Sequence, residues 1–223
     1  MPKPLNRIGA HLYFLVIGIC LPMQLLGQDA DSIKTVSILG QVIGRSLPAP
    51  PFPPTTLETP LSGKSAEVFL IAEGDTLRTE INSSGVFSFS GIESKRVTIS
   101  AGFNPKREED ARYHNLPYMR LFYGTFDLMP GDYIMYIPYV SYSNMIAYGV
   151  FKSANDTVFT IEGDTWVYHY PDNRAVSECV IEKLIGMPGV EYNKKKGTIT
   201  ISGDSVSRAE VNGAYVFALN PSY

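Results

Sequence analysis

The sequence predicts a mainly β protein, in which a two-sheet sandwich is followed by a small α+β unit of β-α-β-β order. Short runs rich in β-branched and aromatic residues recur along the chain, and turn residues separate them. One amphipathic helical pattern lies in the last third of the chain. A length of 223 residues with 44% hydrophobic content is typical of one or two globular domains.

The first 27 residues are typical of an export signal. Lys3 and Arg7 precede an apolar run at residues 12–20, and a passable cleavage site follows at 25–27. An uncleaved membrane anchor is the alternative, but polar residues and a proline interrupt the stretch of about 20 apolar residues that a span needs. We therefore predict export through the general secretory route, with residues 28–35 as a linker.

Residues 36–145 are predicted to form the sandwich. Gly, Asn, Asp, Ser and Pro punctuate the segment, and about seven short strands without a helical period are the pattern of an immunoglobulin-like sandwich. The proline-rich segment 45–65 is predicted to be an exposed loop that extends no sheet, with a peptide-ligand role as the alternative. The strand-like runs lie at 35–43, 66–72, 76–81, 86–90, 96–102, 120–128 and 133–139.

Three segments of this region carry a family resemblance. They are LGQV at 39–42, PLSGKSAEV at 60–68 and INSSGVFSF at 81–89. Together they resemble the carboxypeptidase-like regulatory domain, a transthyretin-like sandwich at the N-terminus of many exported proteins of Bacteroidetes-type bacteria. The long proline insertion departs from the family pattern. The resemblance implies a β-sandwich and, despite the family name, no peptidase activity.

Residues 146–223 are predicted to form two connector strands and the small α+β unit. Val176, Val180 and Leu184 recur at i, i+4 and i+8, which predicts a helix over 174–185 that ends before Pro188. Lys-rich, Gly-Asp and Asn-Gly turns join the runs after the helix. The strand-like runs lie at 147–152, 157–162, 165–170, 190–193, 198–202, 206–211 and 215–219.

An ordered series of short motifs runs through this last region. Its members are Gly163, Asp164 and Thr165, then Pro188, Gly189 and Val190, then Gly197 and Gly203, and finally Val211, Asn212 and Gly213. In this order the series resembles the start of the plug of TonB-dependent outer-membrane transporters and of related outer-membrane β-barrel proteins of Bacteroidetes. The resemblance implies structural roles for these residues and an outer-membrane β-barrel protein or envelope complex as partner. It also implies that the exported chain lies in the periplasm or at the periplasmic face of the outer membrane.

Because only ten residues follow Gly213, we expect no barrel within this chain. The chain is then the periplasmic part of a larger receptor-like protein or an accessory to one. A remnant of a frameshifted transporter gene is a weaker alternative.

Charge and motif spacing argue against several function classes. A net charge of −3 without a basic, aromatic-rich cluster excludes a nucleic-acid partner. His114 and His169 lie far apart in sequence, and no catalytic or metal-binding spacing surrounds them. The acidic run 108–110 is expected to be a solvated loop, and Cys179 a small core residue. We therefore predict no enzyme activity, no metal and no cofactor.

The strongest candidate for a ligand or partner surface is aromatic. Eight of the 14 tyrosines fall within residues 113–148, and tyrosine suits contact with glycans or proteins because its ring is apolar and its hydroxyl polar. Packing between sheets is the alternative. The candidate residues are Tyr118, Tyr123, Tyr133, Tyr136, Tyr139 and Tyr142.

Two functions remain in view. The first is a non-enzymatic cell-envelope module that acts by binding and assembly, as part of or accessory to a TonB-dependent receptor-like protein. The second is a free periplasmic β-sandwich protein that binds a glycan or a peptide through its tyrosines.

Overall fold

The computed structural model describes residues 35–46, 57–109, 111–141, 151–153, 158–170 and 179–219, which all belong to one compact unit. The prediction of a mainly β protein is confirmed. No helix in the described residues is long and apolar enough to cross a bilayer.

The strands, in chain order, are β1 Val36–Ser46, β2 Leu57–Pro60, β3 Ala66–Ala72, β4 Asp75–Thr79, β5 Val86–Ile92, β6 Arg96–Phe103, β7 Met119–Asp127, β8 Gly131–Ser141, β9 Phe151–Ser153, β10 Phe159–Glu162, β11 Thr165–His169, β12 Val190–Asn193, β13 Thr198–Ile201, β14 Val206–Val211 and β15 Ala214–Leu219. Short 3₁₀ helices lie at Pro105–Arg107, Ala111–Tyr113 and Val180–Leu184.

These strands form three sheets, which we call central, front and back. The central sheet has the order β14-β15-β8-β1-β2, with β5 also paired to β1 and β9 to β8. The front sheet has the order β4-β3-β6-β7, and the back sheet the order β10-β11-β13-β12. Strands β1 and β8 run parallel, from Val36 opposite Gly131 to Arg45 opposite Val140.

The central sheet is the middle layer, because it is buried on both faces. Successive side chains of a strand point to opposite faces. On β8, Met135 and Ile137 belong to the buried cluster that includes the front sheet, whereas Ile134 and Tyr136 belong to the cluster that includes the back sheet. The alternation on β1 is the same, with Ile38 facing the front cluster. The molecule therefore has three β layers and two cores.

The proline-rich segment contains one strand that the sequence did not predict. Leu57–Pro60 forms β2, antiparallel to the end of β1, with Leu57 opposite Ser46 and Pro60 opposite Ile43. The prediction that 45–65 extends no sheet is wrong for these residues. Proline is tolerated at the end of an edge strand, where its missing N–H does not interrupt a ladder. Residues 47–56 lie outside the described residues.

The described part of the predicted helix at 174–185 is a 3₁₀ helix and not an α-helix. It covers Val180–Leu184, and Cys179 before it makes no side-chain cap hydrogen bond. An α-helix would direct the Val180 N–H to a carbonyl four residues earlier. Here the Val180 N–H instead donates to Oε1 of Gln41 on β1, at 3.0 Å. Residues 171–178 lie outside the described residues.

The C-terminal hairpin β14–β15 joins the central sheet. Strand β15 pairs antiparallel with β8, from Tyr215 opposite Tyr136 to Leu219 opposite Asp132. The predicted Asn-Gly turn connects the two strands, and Asn212 and Gly213 have φ values of +53° and +82°. Positive φ at both central residues is what a type I′ hairpin turn requires. Because β15 pairs with β8, the hairpin lies in the central sheet, whereas β10–β13 form the back sheet.

Candidate functional site

Some of the tyrosines predicted to form a surface lie in the cores. Tyr136 is fully buried against the back sheet, and Tyr139 is 5% exposed in the front core. Burial raises the pKa of the Tyr139 hydroxyl to about 12. Because β8 is covered on both faces, alternation along it leaves neither ring at the surface, and packing between sheets accounts for both. Tyr142 lies outside the described residues.

The other three predicted tyrosines are exposed to different extents. Tyr133 is partly buried beside the front core, and its hydroxyl donates to the carbonyl of Met129 at 2.7 Å. Tyr118 is 38% exposed and Tyr123 is 51% exposed. Tyr118 and Tyr123 line the same depression on the outer face of the front sheet, whereas Tyr133 lines a separate cavity of about 460 Å³ below the β7–β8 turn.

We call the depression that contains Tyr118 and Tyr123 the front groove. Its volume is about 570 Å³, within the range of small-molecule and peptide-side-chain sites. Alternation on β3 positions its floor, because Val68 and Leu70 point into the core while Glu67, Phe69 and Ile71 point outward. The groove is lined by Glu67, Phe69, Ile71, Thr76, Ser100, Asn104, Lys106, Pro117, Tyr118, Arg120 and Tyr123.

Glu67 is a buried carboxylate at one side of the front groove. It is 5% exposed, and it accepts hydrogen bonds from Arg107 Nη1 at 3.0 Å and from Asn104 Nδ2 at 3.2 and 3.3 Å. Nη2 of Arg78 lies 3.9 Å from the same carboxylate. A buried charge needs such partners. Glu67 therefore fastens the 104–107 segment to β3, and its oxygens are engaged within the protein.

Tyr118 closes another side of the front groove. A methyl group at Gly102 would collide with the Tyr118 hydroxyl, so the absence of a side chain at Gly102 makes room for the ring. Partial burial raises the pKa of the Tyr118 hydroxyl, and a hydrogen bond with Ser100 opposes this effect. At neutral pH the ring therefore presents an uncharged, partly exposed surface.

The rim of the front groove is cationic. The guanidinium carbon of Arg120 lies 4.8 Å from the centroid of the Tyr123 ring, a cation–π distance that holds the arginine beside the groove. Among the described residues, neither Arg120 nor Lys106 has an ion-pair partner. An apolar floor bordered by two unpaired cations can accept an anion attached to an apolar body.

The motif residues of the last region occupy turns and the ends of strands and not a shared cleft. The Asp164 carbonyl accepts from Arg208 Nη2 at 2.7 Å, which joins the β10–β11 turn to β14. Gly189 has a φ of +78°, and a side chain there would collide with the Ser202 carbonyl. Thr165 begins β11, Val190 begins β12 after Pro188, Val211 ends β14, and Gly163, Gly197, Gly203 and Gly213 have positive φ.

The residues with catalytic potential lie apart from one another. His114 Nε2 contacts the Glu108 carbonyl and His169 Nε2 contacts Thr160 Oγ1, each at 2.8 Å. Cys179 is buried in the back core. Within the described parts of the chain, no three His, Cys, Asp or Glu side chains are placed to hold a metal ion.

Sequence reasoning found two walls of the front groove but missed Glu67, Phe69 and Arg120. Outward-facing Glu67 and Phe69 alternate with the buried residues of β3, and this alternation is the signal that could have revealed the floor.

The fold and the groove together define a three-layer β protein with an open groove on one outer face. No protein-family model matches the chain, and neither the curated proteins nor the solved structures contain a match.

Proposed function

We propose that this chain is a non-enzymatic cell-envelope module that acts by binding and assembly. It is the periplasmic part of, or an accessory to, a TonB-dependent outer-membrane receptor-like protein. The observation that carries the proposal is the ordered motif series from Gly163 to Gly213, whose members resemble the start of a receptor plug. These residues lie in turns or at the first or last residue of a strand, which supports the interpretation that they are structural motif positions.

The edges of the back sheet support a role in assembly. Strands β10 and β12 are its outer strands, and among the described strands each pairs with one neighbour. Ile161 on β10 is 43% exposed and Tyr192 on β12 is 40% exposed. Exposed edges that carry apolar side chains pair readily with a strand from another chain.

Co-purification tests this proposal. The full chain with an affinity tag is expressed in a Bacteroidetes host, the envelope is extracted in mild detergent, and the proteins retained with the chain are identified by mass spectrometry. We expect an outer-membrane β-barrel protein to be retained. The variants Ile161→Lys and Tyr192→Lys should reduce its recovery, because a charge at an edge opposes strand pairing.

Leu77→Lys is the matched control. Leu77 is 46% exposed on β4, the edge strand of the front sheet, so the substitution changes charge and exposed apolar area similarly at a different edge. A chain that fractionates with soluble periplasmic proteins, without any barrel protein, would contradict the proposal.

A second candidate function is a free periplasmic protein that binds a glycan or a peptide. The front groove favours it, because two exposed tyrosines border an apolar floor with cations at the rim. In this case the ligand remains with the soluble chain when no barrel protein does.

A further inference from the structure

We infer that the front groove binds a peptide segment in which an acidic side chain stands next to an aromatic or aliphatic one. The inference rests on the binding role proposed for the front groove, and it is independent of the resemblance to TonB-dependent receptors. Three features of the front groove support the inference: its apolar floor, the positive charges around it, and the hydrogen bonds that its polar side chains already make within the protein.

The floor of the front groove offers apolar surface to a ligand. Phe69 and Ile71 point outward from β3 and are only partly buried, although they lie in the middle of a four-stranded sheet. Tyr118 and Tyr123 stand beside them. Covering such a floor with an aromatic or aliphatic side chain removes apolar area from water on both partners, which favours binding.

The charges around the front groove favour an anionic ligand. Lys106 and Arg120 line it, and Arg78 and Arg107 contact Glu67 at its side. These residues carry four positive charges and one negative charge. A carboxylate that enters beside Arg120 meets a guanidinium that is already oriented by the Tyr123 ring. Complementary charge of this kind selects the ligand and accelerates its association.

The polar groups of the front groove favour a peptide over a glycan. The hydroxyls of a sugar need hydrogen-bond partners when they are buried. The side chains of Glu67 and Asn104 are bonded to each other, and Glu67 also accepts a hydrogen bond from Arg107. A sugar would find few free acceptors on this floor. An apolar side chain needs none, and its acidic neighbour meets the cationic rim.

A binding titration tests the inference with defined probes. The chain without the predicted signal segment 1–27 is titrated with a hexapeptide of alternating phenylalanine and glutamate, acetylated at its N-terminus and amidated at its C-terminus. Calorimetry measures the dissociation constant. The two comparison probes are the same peptide with glutamine for glutamate and an oligogalacturonate, which is an acidic glycan. We expect the glutamate peptide to bind about tenfold more tightly than the glutamine peptide at low salt, and this difference to shrink at high salt.

Substitutions at the groove sharpen the test. Arg120→Gln should weaken binding of the glutamate peptide about threefold to fivefold, as expected for one exposed ion pair. Tyr123→Ala should weaken it about tenfold, because it removes a wall and the ring that orients Arg120. Arg96→Gln and Met129→Ala are the controls, since each removes an exposed side chain away from the groove, one cationic and one apolar.

Several results would overturn the inference. Equal affinity for the glutamate and glutamine peptides would show that the cationic rim does not select an acidic ligand. Higher affinity for the oligogalacturonate than for the glutamate peptide would show that the ligand class is a glycan and not a peptide. Absence of peptide binding at about 1 mM would overturn it outright. Thermal unfolding of each variant verifies that it is folded. Co-purification with a barrel protein tests the assembly proposal separately, so that either idea can fail alone.

Discussion

The two faces of the central sheet are packed in different ways. The front core contains five buried aromatic rings, four of which lie in two separate pairs, Phe87 with Phe89 and Phe122 with Phe126. The six buried aromatic rings of the back core instead form one connected cluster. The centroid of the Phe159 ring lies 4.6 Å from the ring centroid of Tyr215, 5.4 Å from that of Tyr168 and 5.7 Å from those of Trp166 and Phe217. The strands of the back sheet have four or five residues, fewer than the seven to nine of β3, β6 and β7. Large aromatic side chains allow such short strands to bury enough area.

One buried polar side chain connects the two halves of the molecule. Gln41 of β1 is fully buried, and its Nε2 donates to the Ser84 carbonyl at 2.8 Å while its Oε1 accepts from Val180 N. The two contacts reach the turn before β5 and the 3₁₀ helix Val180–Leu184. Because both are directional, they set the position of that helix in a way that apolar packing does not.

The largest effect is expected from Phe217→Ala. Phe217 is fully buried in the back core, so the variant should lose about 3 to 5 kcal/mol of unfolding free energy. Phe87→Ala is its matched counterpart in the front core. Urea unfolding is followed by fluorescence of Trp166, the sole tryptophan, and by circular dichroism.

If the two cores unfold as one unit, both variants lower the same midpoint with both probes. A Trp166 midpoint that stays unchanged in Phe87→Ala would show that the back layer unfolds independently.

A smaller loss is expected from Gln41→Met. The change keeps the size of the side chain but leaves the buried Ser84 carbonyl and Val180 N–H without Gln41 as partner, which should cost about 2 to 4 kcal/mol. Ile43→Met on the same face of β1 is the control, and it should cost less than about 1.5 kcal/mol. Urea unfolding compares them. Similar costs for both variants would mean that the hydrogen bonds of Gln41 contribute little.

The smallest effect is expected at alkaline pH and concerns Tyr139. Burial raises the folded-state pKa of its hydroxyl to about 12, whereas the unfolded chain titrates near 10. Between these values the unfolded state has lost the proton and the folded state keeps it, so the free energy of unfolding falls as pH rises. The wild type should therefore lose about 2 to 3 kcal/mol more than Tyr139→Phe between pH 10 and 12.

Urea titrations at a series of pH values measure this difference. Tyr123→Phe, which removes the hydroxyl of an exposed tyrosine, is the control. Parallel curves for the wild type and Tyr139→Phe would exclude a role of the Tyr139 hydroxyl in alkaline unfolding.

The strands were predictable because their signals are local. The predicted bounds of β3, β12 and β14 agree with the structure residue for residue. Each of these strands is followed by a turn, and the residues of the turn themselves indicate where the strand ends. The helix at 174–185 was a different case. Its periodicity suggested an α-helix, but Val180 bonds to a side chain 139 residues away, which no local pattern reveals.

The candidate site was predictable only in part for a similar reason. Tyr123 and Tyr136 look alike in sequence, since each lies in a run with β character. Tyr136 is on a strand covered by two layers, whereas Tyr123 lies on the uncovered face of the front sheet. Glu67 was missed because its partners Asn104 and Arg107 follow it by about 40 residues.

By itself the sequence determined where strands such as β3 and β14 and turns such as Asn212-Gly213 occur, because backbone preferences act over a few residues. Only the tertiary structure decided that β1 and β8 lie in a layer buried on both faces, that β15 extends this layer, and that the face with Phe69 and Tyr123 stays open. Burial and hydrogen-bond partners depend on segments distant in the chain. Exposure of a side chain is therefore settled by how the sheets stack.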